Sequence, residues 1–460
     1  MRQWRRFLVG IIIATAGFLF AIPPCVHGFR FAGKPWTKSS WKDYVPYQLP
    51  DYSKTVHSLE ESCEKISRSA PLVFAGEIRT LRHQLCQTGY GKRFLLIGGN
   101  CAETFQETSV DRTRDDLEFL LFNALLSMFH TGLPVTTIAR TAGQFAKPRS
   151  SSTETVDGKT LPSYQGDIIN EQEFEETCRF PDPRRMEMAY ALSTQKLNLI
   201  RAFLQGGYSE MDRLADRLKQ EWACPDLDKA MRFVRSLEIP SEKTRLFSYF
   251  VGHECLLLPY EESLTRKDSI SGLYYDCSAH FVWLGERTRY LNASQVEFLR
   301  GIQNPIGIKV SDQFVPSEII ALLDILNPMN EMGRIVMIPR MGSGITEKLP
   351  VLVRTIQHYQ KNVVWCSDPM HANTYVDPFS GKKTRRYNKI LWELFEFKRI
   401  LRDHREYPGG IHLEFSSEKN LTECLGKSVY QIDSERYTTA CDPRLNRFQT
   451  LSLIQEFHEK

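Results

Sequence analysis

A closed (β/α)8 barrel of the TIM type, α/β in class, is the fold this sequence predicts, with an N-terminal extension and a helical insertion between strands 2 and 3. Three observations lead there. The chain holds eight short apolar runs, each run stops at or near an ionisable residue, and helical patterns separate the runs. Parallel strands covered on both faces read as near-continuous apolar stretches, because neither side meets water. Eight of them close a barrel whose active site lies at the carboxyl ends of the strands. Acids, bases and a thiol gathered at those ends are the equipment of an enzyme.

The first run, Phe94–Gly99, leads to Cys101, and the second, Val135–Ala139, to Arg140. Leu246–Val251 precedes His253 and Glu254, and His280–Leu284 precedes Glu286 and Arg287. Ile306–Ile308 ends at Lys309 and Ile335–Ile338 stops just before Arg340. Val363–Trp365 is followed by Asp368 and His371, and Ile411–Leu413 by Glu414. The barrel and its insertion take residues 91–460. Ahead of it, 43–90 reads as an extension: an extended stretch near Tyr44–Tyr52, a helical pattern from Val56 to Ile66, and a helix opened by Ala75-Gly76-Glu77 that runs towards Gln87. The insertion, 147–245, starts as a polar loop, Lys147-Pro148-Arg149-Ser150, and then predicts helices near 184–205, 209–220 and 226–237. Long connections at the top of a barrel usually carry function, so part of this one is expected over the site.

The first residues read as targeting signals. Arg2, Arg5 and Arg6 precede an apolar run from Phe7 to Ile22, then Pro23-Pro24 and His27-Gly28, so 1–28 resembles a signal peptide. Its apolar stretch is shorter than the roughly 20 residues of a membrane span, which favours removal over anchoring. Residues 29–42 hold Arg30, Lys34, Lys38, Lys42 and three hydroxyl residues without an acid, a transit-peptide composition. The pair fits import into a plastid with extra membranes; the alternative is simple secretion. No stable membrane association is expected once the leader is gone.

Composition bounds the rest. With 460 residues, 42% of them hydrophobic, the chain can bury a large core. A net charge of +4 with no basic stripe implies no nucleic-acid partner. The 11 cysteines include no CxxC pair, so neither a zinc ribbon nor a disulfide framework is suggested.

Cys101, His371, Glu414 and Asp442 form a candidate metal set. A thiolate, an imidazole and two carboxylates suit a first-row divalent ion such as manganese, cobalt, iron or zinc better than calcium. Strands 8 and 1 are neighbours in a closed barrel, so these residues can converge. Arg140, Lys147, Arg287, Lys309 and Arg340 form a second, cationic group. The ion and its three acidic ligands sum to about −1, so five cations leave a surplus near +4 that calls for multiply anionic ligands, such as one or two phosphate esters. His253, Glu254 and Glu286 are candidate proton handlers.

The motifs GGNCAETF (98–105), AGQFAKPRS (142–150), LPSYQGD (161–167), AHFVWLGERTR (279–289), NPIGIKV (304–310), DPMHANT (368–374), GGIHLEF (409–415) and TACDPRLN (439–446) are long and specific. Carrying them, the chain resembles the class II (plant-type) 3-deoxy-D-arabino-heptulosonate 7-phosphate (DAHP) synthases, over about Pro71 to Leu453. The resemblance implies condensation of phosphoenolpyruvate with erythrose 4-phosphate in the shikimate pathway. It implies Cys101, His371, Glu414 and Asp442 as metal ligands, with manganese the first choice. Arg140, Glu286, Arg287, Lys309 and Arg340 are then the phosphoenolpyruvate positions, and Lys147 lies near the aldehyde. Catalytic roles fall to Cys101, Lys147, Glu254 and His371, and a homo-oligomer is expected. Alternatives are a related synthase using another phosphorylated aldehyde such as an amino sugar, a non-catalytic barrel, or a secreted metal-dependent hydrolase. Departures from the family pattern are Asn100, Gln165, Gly252, Ser343-Gly344 and Arg447-Phe448. Gln165 removes a cation near the loop over the site. Cys441 adjoins Asp442, and a disulfide with Cys101 would remove a ligand under oxidation; the alternative is a buried bystander.

Overall fold

The structure, a computed structural model, describes residues 35–53, 55, 57–222, 227–229, 231–232 and 248–459. Eight strands close a parallel barrel: β1 (Phe94–Gly99), β2 (Val135–Arg140), β3 (Tyr249–Glu254), β4 (Phe281–Leu284), β5 (Ile306–Val310), β6 (Ile335–Pro339), β7 (Val364–Ser367) and β8 (Gly410–Glu414). Each pairs with its neighbours in sequence, and β1 also pairs with β8. Most strands run one to three residues past the apolar stretch that announces them. The hydrogen-bonded ladder does not stop where apolarity stops, so Arg140, Glu254, Lys309 and Glu414 lie within strands rather than after them. The third strand starts at Tyr249, and its expected beginning at Leu246 lies outside the described residues.

The inward faces fill the barrel. Leu95, Ile97, Ile138, Phe250, Phe281, Trp283, Val336, Ile338, Val364 and Cys366 form one core cluster, and Leu81 and Leu85 belong to it. Those two leucines come from the extension. Helix α1 (Leu59–Arg68) begins later than its apolar periodicity suggests because Ser58 caps it, accepting from the Glu61 amide at 3.2 Å. Helix α2 (Ala75–Gly89) turns Ile78, Leu81 and Leu85 inward, and the last two plug the amino-terminal end of the barrel. Helix α3 (Val110–Thr131) follows β1, capped by Ser109 and ended by Gly132.

The insertion opens with a hairpin, Thr153–Val156 against Lys159–Pro162, turning at Asp157-Gly158. That dipeptide is a hairpin signal, which the sequence analysis did not use. Helices α4 (Arg184–Phe203) and α5 (Met211–Glu221) fall where expected, and the helix expected near 226–237 lies largely outside the described residues. Helices α6 (Ile345–His358), α7 (Tyr387–Asp403) and α8 (Arg447–Glu459) complete the outer layer nearest the site. The unusual pair Arg447-Phe448 joins α8 to the insertion, since Arg447 Nε lies 2.5 Å from Glu221 Oε2 and Phe448 packs on Trp222.

The stretch read from the sequence as transit-like extends to Lys42, and its described residues from Trp36 onward pack on the barrel. Trp36 donates to the Glu297 carbonyl at 3.1 Å, and Trp41 is buried and donates to Glu262 Oε2 at 2.8 Å. The hydroxyls of Ser39 and Ser40 bond Glu262 and Glu297. Among the described residues, no helix is long and apolar enough to cross a membrane.

Because Leu85 is fully buried in the barrel plug, Leu85→Ala is expected to lower stability by about 2–5 kcal/mol, read from urea unfolding.

Candidate active site

The register fixes the site before any side chain is considered. Gly99 pairs with Arg140 on one side and with Glu414 on the other, so these residues share one level, and Cys101 follows two residues later. Cys101, Glu414 and Asp442 meet here, their ligand atoms all within 4.8 Å of one another. His371, in the turn after β7, places Nε2 3.0 Å from Glu414 Oε1. Asp442 arrives on the loop before α8, where its amide donates to Cys101 Sγ at 3.2 Å. Arg444 anchors that loop by bonding Glu423 and donating to Asn100 Oδ1 at 2.8 Å. Asn100, a departure from the family pattern, thus still supplies an acceptor.

Glu414 is fully buried, and cations surround it. Arg140 Nη2 donates to Glu414 Oε1 at 2.9 Å, and Lys147 Nζ lies 3.4 Å from the same oxygen. Arg385 Nη2 stands 2.9 Å from Oε2, but in an alignment that leaves both atoms without a hydrogen bond. Burial pushes the carboxyl up, but His371, Lys147, Arg385 and Arg140 outweigh it and hold Glu414 well below the usual carboxylate range. Asp442 is held down against burial in the same way, chiefly by Lys147. Burial pushes the Cys101 thiol well up, helped by its hydrogen bond with Cys441 and the Glu414 charge. Both thiols are free, so the arrangement is a contact and not a disulfide.

Thiol, imidazole and carboxylate are donor types that suit a divalent first-row ion; Cys101, Glu414 and Asp442 converge, and His371 reaches them through Glu414. His371 Nδ1 meets Asp368 Oδ2 at 2.7 Å, which turns Nε2 towards the carboxylates.

The cationic group lines one cleft beside this cluster. Arg140, Lys147, Arg287, Lys309 and Arg340 all face it, as do Arg149 and Lys383. Glu254, Glu286 and Asp442 are the acids on the same wall. Among the described residues, seven cations therefore face three carboxylates. Lys309 pairs with Asp368, Arg287 is exposed, and the buried Nε of Arg340 has no hydrogen-bond partner among the described residues. Glu286 is engaged with Arg289 at 2.7 Å and with the Ser311 amide at 2.8 Å, not with Arg287. Glu254 keeps a buried Oε1 without a hydrogen-bond partner among the described residues. Gly285 makes room for it, since a Cβ there would lie 2.0 Å from that oxygen. His253 points the other way and pairs with Glu261 at 2.8 Å, so it is not a proton handler of this cleft. Gln165 accepts from the Lys147 amide at 2.8 Å through its backbone, and its side chain does not line the cleft.

Sequence reasoning missed four participants. Arg385 and Lys383 come in on the hairpin Thr374–Val376/Lys383–Arg385, and Arg149 donates to Cys441 Sγ at 3.3 Å. His412 lies buried between Arg140 Nη1 (2.5 Å from Nε2) and Lys309 Nζ (3.1 Å from Nδ1). Burial, then Lys309 and Arg140, hold this imidazole well below its usual value and thus neutral. Strand alternation was the available signal, since His412 sits two residues before Glu414 and shares its inward face.

Eight parallel strands with a donor cluster and an anion cleft at their carboxyl ends define a barrel enzyme for anionic substrates. Comparison places it more closely. The chain matches the model of the class-II DAHP synthetase family over residues 36–457. It is 40% identical to a phospho-2-dehydro-3-deoxyheptonate aldolase of Streptomyces coelicolor, over 91% of this chain and 96% of that one. It is 36% identical to the Neurospora crassa protein of that name (91% and 92%), and 35% to that named AroG in Mycolicibacterium smegmatis (88% and 89%). This chain belongs to the class-II DAHP synthetase family.

Besides Lys147, a helix of the insertion is tied to the site by a buried ion pair. Lys196 of α4 lies 2.7 Å from Glu103, which also accepts from Thr141 and from the amides of Gly143 and Gln144. Lys196→Met leaves that carboxylate buried without its counter-charge and is expected to cost about 3–5 kcal/mol, read by denaturant unfolding.

Proposed function

We propose that this protein is a DAHP synthase, joining phosphoenolpyruvate, erythrose 4-phosphate and water into 3-deoxy-D-arabino-heptulosonate 7-phosphate and phosphate, at the entry to the shikimate pathway. The observation that carries this reading is a cleft of seven cations and three carboxylates set directly against the thiol–imidazole–carboxylate cluster. Two phosphorylated substrates bring the negative charge that such a cleft requires. The family match supports the same pair of substrates.

Cys101, His371, Glu414 and Asp442 would hold the ion, with manganese the first choice and cobalt, iron or zinc as alternatives. Bound there, it would polarise the aldehyde carbonyl as a Lewis acid. Arg140, Lys309 and Arg340, with Arg287 at the rim and Glu286 ordering Ser311, would hold phosphoenolpyruvate so that its carbon 3 faces the aldehyde carbon. Lys147, 3.4 Å from Glu414 and 3.8 Å from Asp442, stands at the aldehyde side. As the new carbon–carbon bond forms, positive charge develops on carbon 2 and water adds there, and phosphate then leaves. Glu254, through its open Oε1, would take a proton from that water. Fixed guanidinium and ammonium groups hold the two anions together and offset their repulsion.

A homo-oligomer is part of this reading, supported by the exposed Phe379 and Tyr430 beside Trp392. So is plastid import through the basic and apolar leader, with cleavage upstream of Trp36, because Trp36 itself packs on the barrel. A fluorescent protein carrying residues 1–35 is expected in the plastid of a cell whose plastid has extra membranes; secretion into the medium would refute import.

Residues 35–460 are expected to consume phosphoenolpyruvate only when erythrose 4-phosphate and a divalent ion are both present. A chelator is expected to stop the reaction. Consumption without the aldehyde, or none at all, would refute the synthase reading. Arg340→Ala is expected to raise the KM for phosphoenolpyruvate about 10–100-fold in the same assay.

A further inference from the structure

Two loops carry residues of both halves of the site. The loop after β6 bears Arg340, and the loop after β7 bears His371. They touch directly, since Arg340 Nη2 donates to the His371 carbonyl at 2.9 Å. Gly342 has a left-handed φ of 55°, and a Cβ there would come within 3.2 Å of Ala372. Beneath both loops lies Glu393, a fully buried residue of α7. Its Oε1 accepts from the Met341 and Gly342 amides, each at 2.9 Å, and its Oε2 accepts from Asn373 Nδ2 at 2.6 Å.

We propose that Glu393 is a positioning residue for the reaction above: as a carboxylate it clamps the Arg340 loop to the His371 loop and so sets the distance between bound phosphoenolpyruvate and the ion. This rests on the roles proposed for Arg340 and His371. The argument is one of donors and acceptors. All three partners of Glu393 are N–H donors, so only a group with two acceptor oxygens satisfies them together. A protonated carboxyl would turn an O–H towards Asn373 or lose an amide. Asn373 cannot simply flip its amide to accept, because the same Nδ2 also donates to the Pro369 carbonyl at 2.8 Å.

Among the described residues, no cation pairs with this carboxylate in compensation. Asp368, at the end of β7, is the charge that bears on it, and it is repulsive. The charged residues of α6, Glu347, Lys348, Arg354 and His358, are exposed. On α8, Arg447 is engaged with Glu221 and Glu456 with Lys427. On its own helix Lys389 is exposed and Glu396 pairs with Arg399. Burial therefore dominates and pushes Glu393 up to about 7, with the three hydrogen bonds opposing. The sign follows: the folded value lies above the unfolded one, so ionising Glu393 costs overall stability as pH rises from 4.5 towards 7. The clamp is nevertheless made only above that range and is released as pH falls through it.

Hydrogen–deuterium exchange of the full-length wild type, corrected for intrinsic rates, reads the clamp without any variant. Peptides containing Met341 and Gly342 are expected to lose about tenfold in protection between pH 8 and pH 6. Glu393→Gln is expected to exchange at the faster rate at both pH values. It should also raise the KM for phosphoenolpyruvate about tenfold at pH 8, with kcat changed less. Unchanged wild-type protection across this range would overturn the clamp, and so would a wild-type-like exchange profile in the variant. Wild-type turnover at pH 8 with both substrates tests the synthase reading separately, so failure of one leaves the other standing.

Discussion

The fold's central constraint is a single buried carboxylate. Glu414 closes β8 at the level where β8 meets β1, with no surface exposed. A charge in that position is tolerable only if it is surrounded. The barrel meets that demand from four directions: Arg140 from β2, Lys147 from the start of the insertion, Arg385 from the hairpin after β7, and His371 from the turn after β7. Three of these groups, Arg140, Lys147 and His371, also line the cleft. Charge compensation and the lining of the cleft therefore draw in part on one set of side chains.

This sharing explains how the site is layered. His412 and Trp283 lie below Arg140 and Lys309, and the neutral imidazole separates two cations that would otherwise face each other without a spacer. Asp368 bridges the two functional groups, meeting Lys309 on one side and His371 on the other. Buried networks of this kind hold geometry well when every member is satisfied, and they fail together when one is not.

Much of this was legible in the sequence, for reasons that differ by element. Apolar runs ending at Arg140, Lys309 and Glu414 reveal strands because burial on both faces leaves no polar alternation to confuse the pattern. The ends of those runs then point to the cleft. His412 was readable from alternation alone and was passed over because it sits inside an apolar stretch. Arg385 and Lys383 were not readable. They depend on how a short antiparallel hairpin folds back over the barrel mouth, which no local periodicity encodes. The plug helix shows the same limit: Ile78, Leu81 and Leu85 announce an amphipathic helix, but not that its face seals a barrel. Packing within the segment up to Lys42 was not readable either, because the tryptophan and serine residues that pack on Glu262 and Glu297 have the same composition as a leader.

The candidate ligand residues are numbered 101, 371, 414 and 442, and their spread along the chain has a consequence for biosynthesis. A nascent polypeptide still attached to the ribosome lacks Asp442 until all eight strands have been made. Before β8 is made it also lacks the β8–β1 seam that brings Glu414 beside Cys101. No fragment that stops short of Asp442 can therefore assemble the whole donor set, and an ion held by all four residues would load only after the barrel has closed.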